Sequence, residues 1–247
     1  MDVIPKWTRR RAAARGALTA LFVAAAGLAG WLVGRTGVSP RAALPVLFTA
    51  PRFGALVNQE GTGVSSARFR GQVQIVTFLD PYCNAVCPII AAHLAGFEHM
   101  LAETPLANRV AVVAFDIDPA TGPRQMRAFL KEYGWDPREP HWQFLSGKPG
   151  RIRRIVTGGY HVDYRIVADA RSGTVHASPA LAGMGIVPQP LVANPLADRA
   201  HVSFNIVHND IMMVVDGKGR VRRIYDQADA VGAYELLGEV RAVLAAR

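Results

Sequence analysis

Acidic residues are nearly missing from the start of this chain, where Asp2 is the sole acid in the first 36 residues against Lys6, Arg9, Arg10, Arg11, Arg15 and Arg35. More than half of the formal charge of +9 is therefore local to that end, and a nucleic-acid groove is not needed to explain it. Charge of either sign is absent from 16–34. No internal repeat is visible, which excludes a solenoid or a tandem array. Cysteine is scarce, with 2 in 247 residues, so any thiol chemistry has to pass through one pair. Apolar residues are plentiful: at 50% of the chain they supply a substantial core, and the protein is globular, not disordered.

The uncharged run Gly16 to Gly34, at about 1.5 Å per residue, is just long enough for the hydrocarbon core of a bilayer. Arginines at 9, 10, 11 and 15 place residues 1–15 on the cytoplasmic side by the positive-inside rule and send the remainder across. Trp31 falls near the far end, where an interfacial aromatic belongs. A cleaved secretory signal is the competing reading, because Ala24-Ala25-Ala26 and Leu28-Ala29-Gly30 offer small residues to a peptidase. The run exceeds the usual signal core, which favours a retained anchor. Either way the main domain lies outside the cytoplasm, on the periplasmic or outer face of the cytoplasmic membrane. Residues 35–50, with Pro40 and Pro45, read as a tether, and 51–247 as the folded domain.

Within that domain Phe53 to Val57 and Val64-Ser65 flank a turn at Asn58 to Gly61 and form a short hairpin. Val73 to Leu79 and Val110 to Phe115 are β-rich apolar runs, and Trp142 to Leu145 is a third. Helices are expected from Ile89 to Ala102, with Pro88 in the first turn, from Pro123 to Tyr133, ended by Gly134, and from Gly150 to about Thr157. Alternating strands and helices make an α/β sheet covered on both faces. Periodicity fades from Ala168 to Ala200. It returns in strands at Val202 to Val207 and Ile211 to Val215, in a turn at Asp216 to Gly219 leading to Val221 to Tyr225, and in a helix from Ala230 to Ala246.

Cys83 and Cys87 stand at a strand-to-helix junction in Asp80-Pro81-Tyr82-Cys83-Asn84-Ala85-Val86-Cys87-Pro88. Two thiolates within one helical turn grip a soft metal or exchange with a disulfide. A purely structural disulfide would close so short a loop for only about 2 kcal/mol, which a domain of this size does not need. Cys87 falls at the helix N-terminus, where free amides and the helix dipole favour its thiolate. Asp116 and Asp118 read as residues that cap or orient the next loop. His93 and His99 read as surface or edge residues of the first helix; His141, His161, His176 and His201 lack a partner motif, although the loop holding His176 and His201 could approach a metal, and Met184, Met212 and Met213 read as packing.

The chain resembles the Sco/SenC family, the membrane-tethered, thioredoxin-like copper chaperones of cytochrome oxidase assembly. The likeness rests on Cys83, Cys87 and Pro88 as the family's Cys-x-x-x-Cys-Pro, on Phe53 to Phe69 as its entry hairpin, on Asp116-Ile117-Asp118-Pro119 with Pro123 and Tyr133, and on Phe144 to Gly147. It implies a thioredoxin-like fold behind a transmembrane anchor. It also implies that His208, just before a strand and an Asp-x-x-Gly turn, joins Cys83 and Cys87 as a metal ligand. Two thiolates and an imidazole suit Cu(I), and with an added ligand Cu(II). The partners so implied are a copper donor protein and the copper-site subunit of a haem-copper oxidase. Asn84-Ala85-Val86 departs from the family's common Pro-Asp-Val, and the segment before His208 is longer than usual. A thiol-disulfide oxidoreductase, or a thiol peroxidase or redox sensor, using Cys83 and Cys87 is the alternative, although dedicated catalysts of that type use Cys-x-x-Cys.

Overall fold

The structure is a computed structural model, and it describes residues 44–135, 141–167 and 205–246. The anchor expected at 16–34 and most of the tether lie outside these residues. Among the described residues no helix is long and apolar enough to cross a membrane.

The strands are β1 (Phe48–Thr49), β2 (Leu56–Asn58), β3 (Gly63–Val64), β4 (Val73–Leu79), β5 (Val110–Asp116), β6 (Trp142–Ser146), β7 (Tyr164–Val167), β8 (Asn205–His208), β9 (Met212–Val215) and β10 (Arg220–Tyr225). The helices are α1 (Cys87–Ala102), α2 (Pro123–Glu132), α3 (Pro149–Gly159) and α4 (Ala233–Ala245). Eight strands form one mixed sheet in the order β1-β10-β9-β4-β5-β6-β2-β3, with β4, β5 and β6 parallel. The covered α/β sheet expected from the sequence is present.

Both faces of the central strands are covered, so β4 and β5 are buried at every position and read as continuous apolar runs. The two-residue period sorts them cleanly. Val73, Ile75 and Leu79, with Val110, Val112 and Ala114, pack under α1, α2 and α4. Val76 and Phe78, with Val113 and Phe115, meet Ile152, Ile155 and Val156 of α3 on the opposite side. Along α1, Ile90, Leu94, Phe97 and Leu101 fall on one face and are fully buried. Gly134, at a φ of 92°, ends α2 in the left-handed conformation that a side chain would resist.

Two departures from the sequence reading stand out. Residues 44–50, assigned to the tether, belong to the domain: β1 pairs antiparallel with β10, and Arg222 donates to the carbonyls of Leu44 and Pro45. A two-residue edge strand bracketed by Pro45 and Pro51 is too short to show periodicity. The second departure concerns the partner of β8. That strand pairs with β7, which the sequence reading did not find, in a separate two-stranded ribbon with Tyr164 opposite His208.

Candidate metal and thiol site

The thiol loop is built by the residues that leave β4. Asp80 accepts the Tyr82 amide on Oδ1 at 2.8 Å and the Cys83 amide on its own carbonyl at 3.1 Å, which turns the chain sharply after the buried strand. Helix α1 begins at Cys87 with Pro88 in its first turn, and no side chain caps it. Amide groups at that end are therefore available to sulfur, and the Ala85 amide donates to Cys83 Sγ at 3.4 Å. Both cysteines are free thiols, Cys87 buried and Cys83 half-buried.

His208 closes the site from a distant part of the chain. It ends β8, and its Nε2 lies 3.7 Å from Cys87 Sγ, across 121 positions of sequence. Its Nδ1 donates to the Asn209 carbonyl at 3.1 Å, and the Asp210 carboxylate stands 3.9 Å from the same nitrogen. Nδ1 is thereby engaged and Nε2 is left facing sulfur, the arrangement by which a second-shell partner aims an imidazole at a metal. The His208 side chain is 6% exposed.

The two thiols are electrostatically unequal. A hydrogen bond from Cys87 pulls the Cys83 thiol well below its usual pKa; burial opposes this, and His208 reinforces it by hydrogen bonding and charge. Cys87 is pushed well above, because its proton is held by Cys83 and because burial, the Cys83 charge and Asp80 all penalise a second thiolate. Burial acts to lower His208, but hydrogen bonding and charge from Cys83 outweigh it and push the imidazole up to about 9. These directions favour Cys83 over Cys87 as the thiolate. This corrects the expectation that the helix dipole would make Cys87 the thiolate: the dipole favours anions, but full burial beside another sulfur and a carboxylate costs more.

The donor spacing fits a shared ion. Taking zinc's bond lengths as a scale, with sulfur at about 2.3 Å and imidazole at about 2.0 Å, a thiolate and an imidazole on one metal stand roughly 3.5 to 4.3 Å apart. The Cys87–His208 separation of 3.7 Å falls within that window. Among the described residues no group of three or more His, Cys, Asp or Glu side chains is arranged to hold a metal ion as it stands. The assembled unit is this pair, with Cys83 electrostatically linked to both members.

Asp116 and Asp118 orient the neighbouring loop as expected. The Asp118 amide donates to Asp116 Oδ1 at 3.0 Å, Thr121 donates to the other oxygen, and Asp118 Oδ1 accepts the Ala120 amide at 2.7 Å. Burial pushes the Asp116 carboxyl well up. His93 and His99 lie on α1, half-buried and exposed respectively, while exposed His161 sets its ring edge-on to Phe48. His141 is half-buried just before β6, at the end of the parallel strands opposite the thiols. Met212 and Met213 are core residues of β9. His176, His201 and Met184 lie outside the described residues.

Sequence reasoning gave no part in the site to Tyr164 or Asp210, and named Asp80 and Tyr133 only within the thiol motif and the family resemblance. The Asp-Pro pair after a strand was a usable turn signal for Asp80. Tyr133 is pushed up to about 12, first by burial and then by Glu132, Cys83 and Cys87, which puts its phenol within electrostatic reach of the thiols. Only tertiary structure reveals that proximity, or the pairing of Tyr164 with His208.

A family model described as SCO1/SenC matches residues 49–181. A curated relative, the SCO1 protein homolog of Bacillus subtilis, is 29% identical over 93 residues, covering 36% of this chain and 45% of the relative, so the match spans under half of that protein's length. The fold is similar to that of Bradyrhizobium japonicum ScoI with copper bound, at a TM-score of 0.56 and 17% identity over 79% of this chain and 99% of that one. It is also similar to BsSco, described through a disulfide switch and as a member of the Sco family of cytochrome c oxidase assembly proteins, at a TM-score of 0.55 and 18% identity over 82% and 96% of the two chains.

Proposed function

The chain belongs to the SCO1/SenC family, and on that premise we propose that it is a membrane-anchored copper-binding chaperone. It delivers copper to the dinuclear copper site of cytochrome c oxidase during assembly, or keeps that site's cysteines reduced. The observation that carries the reading is the approach of His208 Nε2 to 3.7 Å from Cys87 Sγ, beside a second thiol. Two soft sulfurs and a nitrogen suit Cu(I), which accepts low coordination numbers. Copper here is cargo. Cys83 and Cys87 would hold it as thiolates, His208 would add Nε2, and the half-buried Cys83 side leaves room for an incoming ligand from the donor or the recipient. Thiolate ligation displaces the Cys87 proton, so loading is coupled to proton release and weakens in acid.

The anchor reading rests on residues 16–34 with arginines before them, and it puts the domain on the periplasmic or outer face of the cytoplasmic membrane. A copper-bound relative of like fold supports the cargo, and a relative named for oxidase assembly supports the client.

The thiol asymmetry favours a second reading, thiol-disulfide exchange. The Cys83 thiolate would attack a substrate disulfide and release one substrate thiolate. Cys87, losing its proton, would then attack the mixed disulfide, so that the substrate gains two electrons and a Cys83–Cys87 disulfide remains. Copper content of the purified reduced chain, with and without His208→Ala, separates the two. Copper retention that falls sharply while disulfide turnover persists supports the carrier. Unchanged retention with high turnover removes it.

A further inference from the structure

We propose that the exposed face of α3, with the outer side of the β7–β8 ribbon, docks on an anionic lipid surface. From 148 to 165 the chain carries Lys148, Arg151, Arg153, Arg154 and Arg165 against the single acid Asp163. Helix α3 buries Ile152, Ile155 and Val156 in the core, which turns its arginines outward, and all five cationic residues are exposed. Among the described residues no carboxylate lies within ion-pair distance of any of them, whereas Arg220, Arg222 and Arg223 all have acidic partners. Two of the heads are held in place: Arg151 donates to the Ala55 carbonyl at 2.7 Å, and Arg153 lies over the Tyr164 ring at 5.0 Å.

The outer side of the ribbon that follows α3 exposes Val167 and Val207, and Arg165 stands directly opposite Val207. Unpaired cations beside exposed aliphatic side chains are the composition of an interfacial surface: the cations meet headgroups and the aliphatics enter the boundary. Chain connectivity favours a bilayer as the occupant. The C-terminal end of α3 abuts the segment entering the domain, with Gly159 against Pro51 and His161 against Phe48. The nine residues 35–43 that separate the apolar stretch from Leu44 extend at most about 30 Å. This inference rests on the anchored reading, under which the basic face stays within reach of headgroups. Docking would restrict how the thiol site is presented.

The test uses the full chain in vesicles of phosphatidylcholine, alone or with about one-third phosphatidylglycerol. Flotation with both kinds after a high-salt wash reports anchoring, and amide exchange over 148–167 reports docking. Exchange there should slow by a factor on the order of three or more on the anionic vesicles. The slowing should vanish in high salt and in Lys148→Gln/Arg154→Gln/Arg165→Gln, and persist in Arg154→Lys/Arg165→Lys. A chain that floats with both vesicles yet shows equal exchange on them overturns docking and leaves the anchor intact. A chain that fails to float with phosphatidylcholine removes the anchor and the docking together.

Discussion

The two cysteines and the histidine are held by very different parts of the molecule. The thiols sit where β4, buried at every position and paired on both sides, turns into a helix whose inner face is fully buried. His208 sits at the end of a two-stranded ribbon outside the main sheet, with neighbours exposed at Val207, Ile166 and Val167. A two-stranded ribbon is marginal without packing, and this one depends on Tyr164 and Ile206 turned into the core. The sulfurs are preorganised by the fold, and the imidazole is delivered to them by a weaker element. For a carrier that must release its cargo, the adjustable ligand belongs on the adjustable element.

Substitutions can break or sharpen this contrast, and they rank by their effect on copper. Cys83→Ser with Cys87→Ser should abolish copper retention by the reduced chain, measured as metal content after gel filtration. His208→Ala should lower Cu(I) affinity by more than about a hundredfold, beyond the range for losing an outer-shell partner, when measured by competition with a chromophoric chelator. The same substitution removes a group that holds the Cys83 thiol down. Cys83 should then titrate higher, and its alkylation by iodoacetamide at neutral pH should slow, with the Cys87 contribution left in place.

Ile206→Ala removes ribbon packing at a site 4% exposed, two residues before His208 on β8. It should weaken copper binding only several-fold while costing about 1–3 kcal/mol in chemical denaturation. Equal copper affinity in this variant would show that the ribbon does not tune the third ligand.

At the other extreme stands a framework contact. Arg222, 6% exposed, donates to Asp216 at 2.9 Å as well as to Leu44 and Pro45. Arg222→Met should cost about 3–5 kcal/mol and leave the copper affinity of the folded protein unchanged. Burial acts to raise Asp216, but hydrogen bonds from Arg220, Arg222 and the Lys218 amide outweigh it and hold the carboxyl below its ordinary range. A depressed carboxylate contributes stability above its unfolded pKa and loses it as pH falls through the folded value. Urea midpoints should therefore drop, as pH falls below the ordinary carboxylate range, more steeply in the parent than in Arg222→Met.

What was legible in the sequence divides along the same line. Strands β4 and β5 announce themselves because burial on both faces demands unbroken apolar runs, and α1 does so through Ile90, Leu94, Phe97 and Leu101. Cys83 and Cys87 follow from their place between those elements. β7 was missed because Tyr-Arg-Ile-Val is four residues long with one buried side chain, too little for periodicity to register. His208 was found through family resemblance, since nothing in its neighbours' spacing discloses an approach across 121 positions. The location of the thiolate was misread because helix position is visible in a sequence, whereas the burial of Cys87 against Cys83 and Asp80 is not.

The central claim is that the thiol pair and His208 hold one copper ion together. X-ray absorption at the copper edge of the reduced, singly loaded chain tests it most directly. The account predicts two sulfur neighbours and one imidazole nitrogen, with the nitrogen shell lost in His208→Ala. A two-sulfur shell without nitrogen, identical in the parent and in His208→Ala, would contradict it.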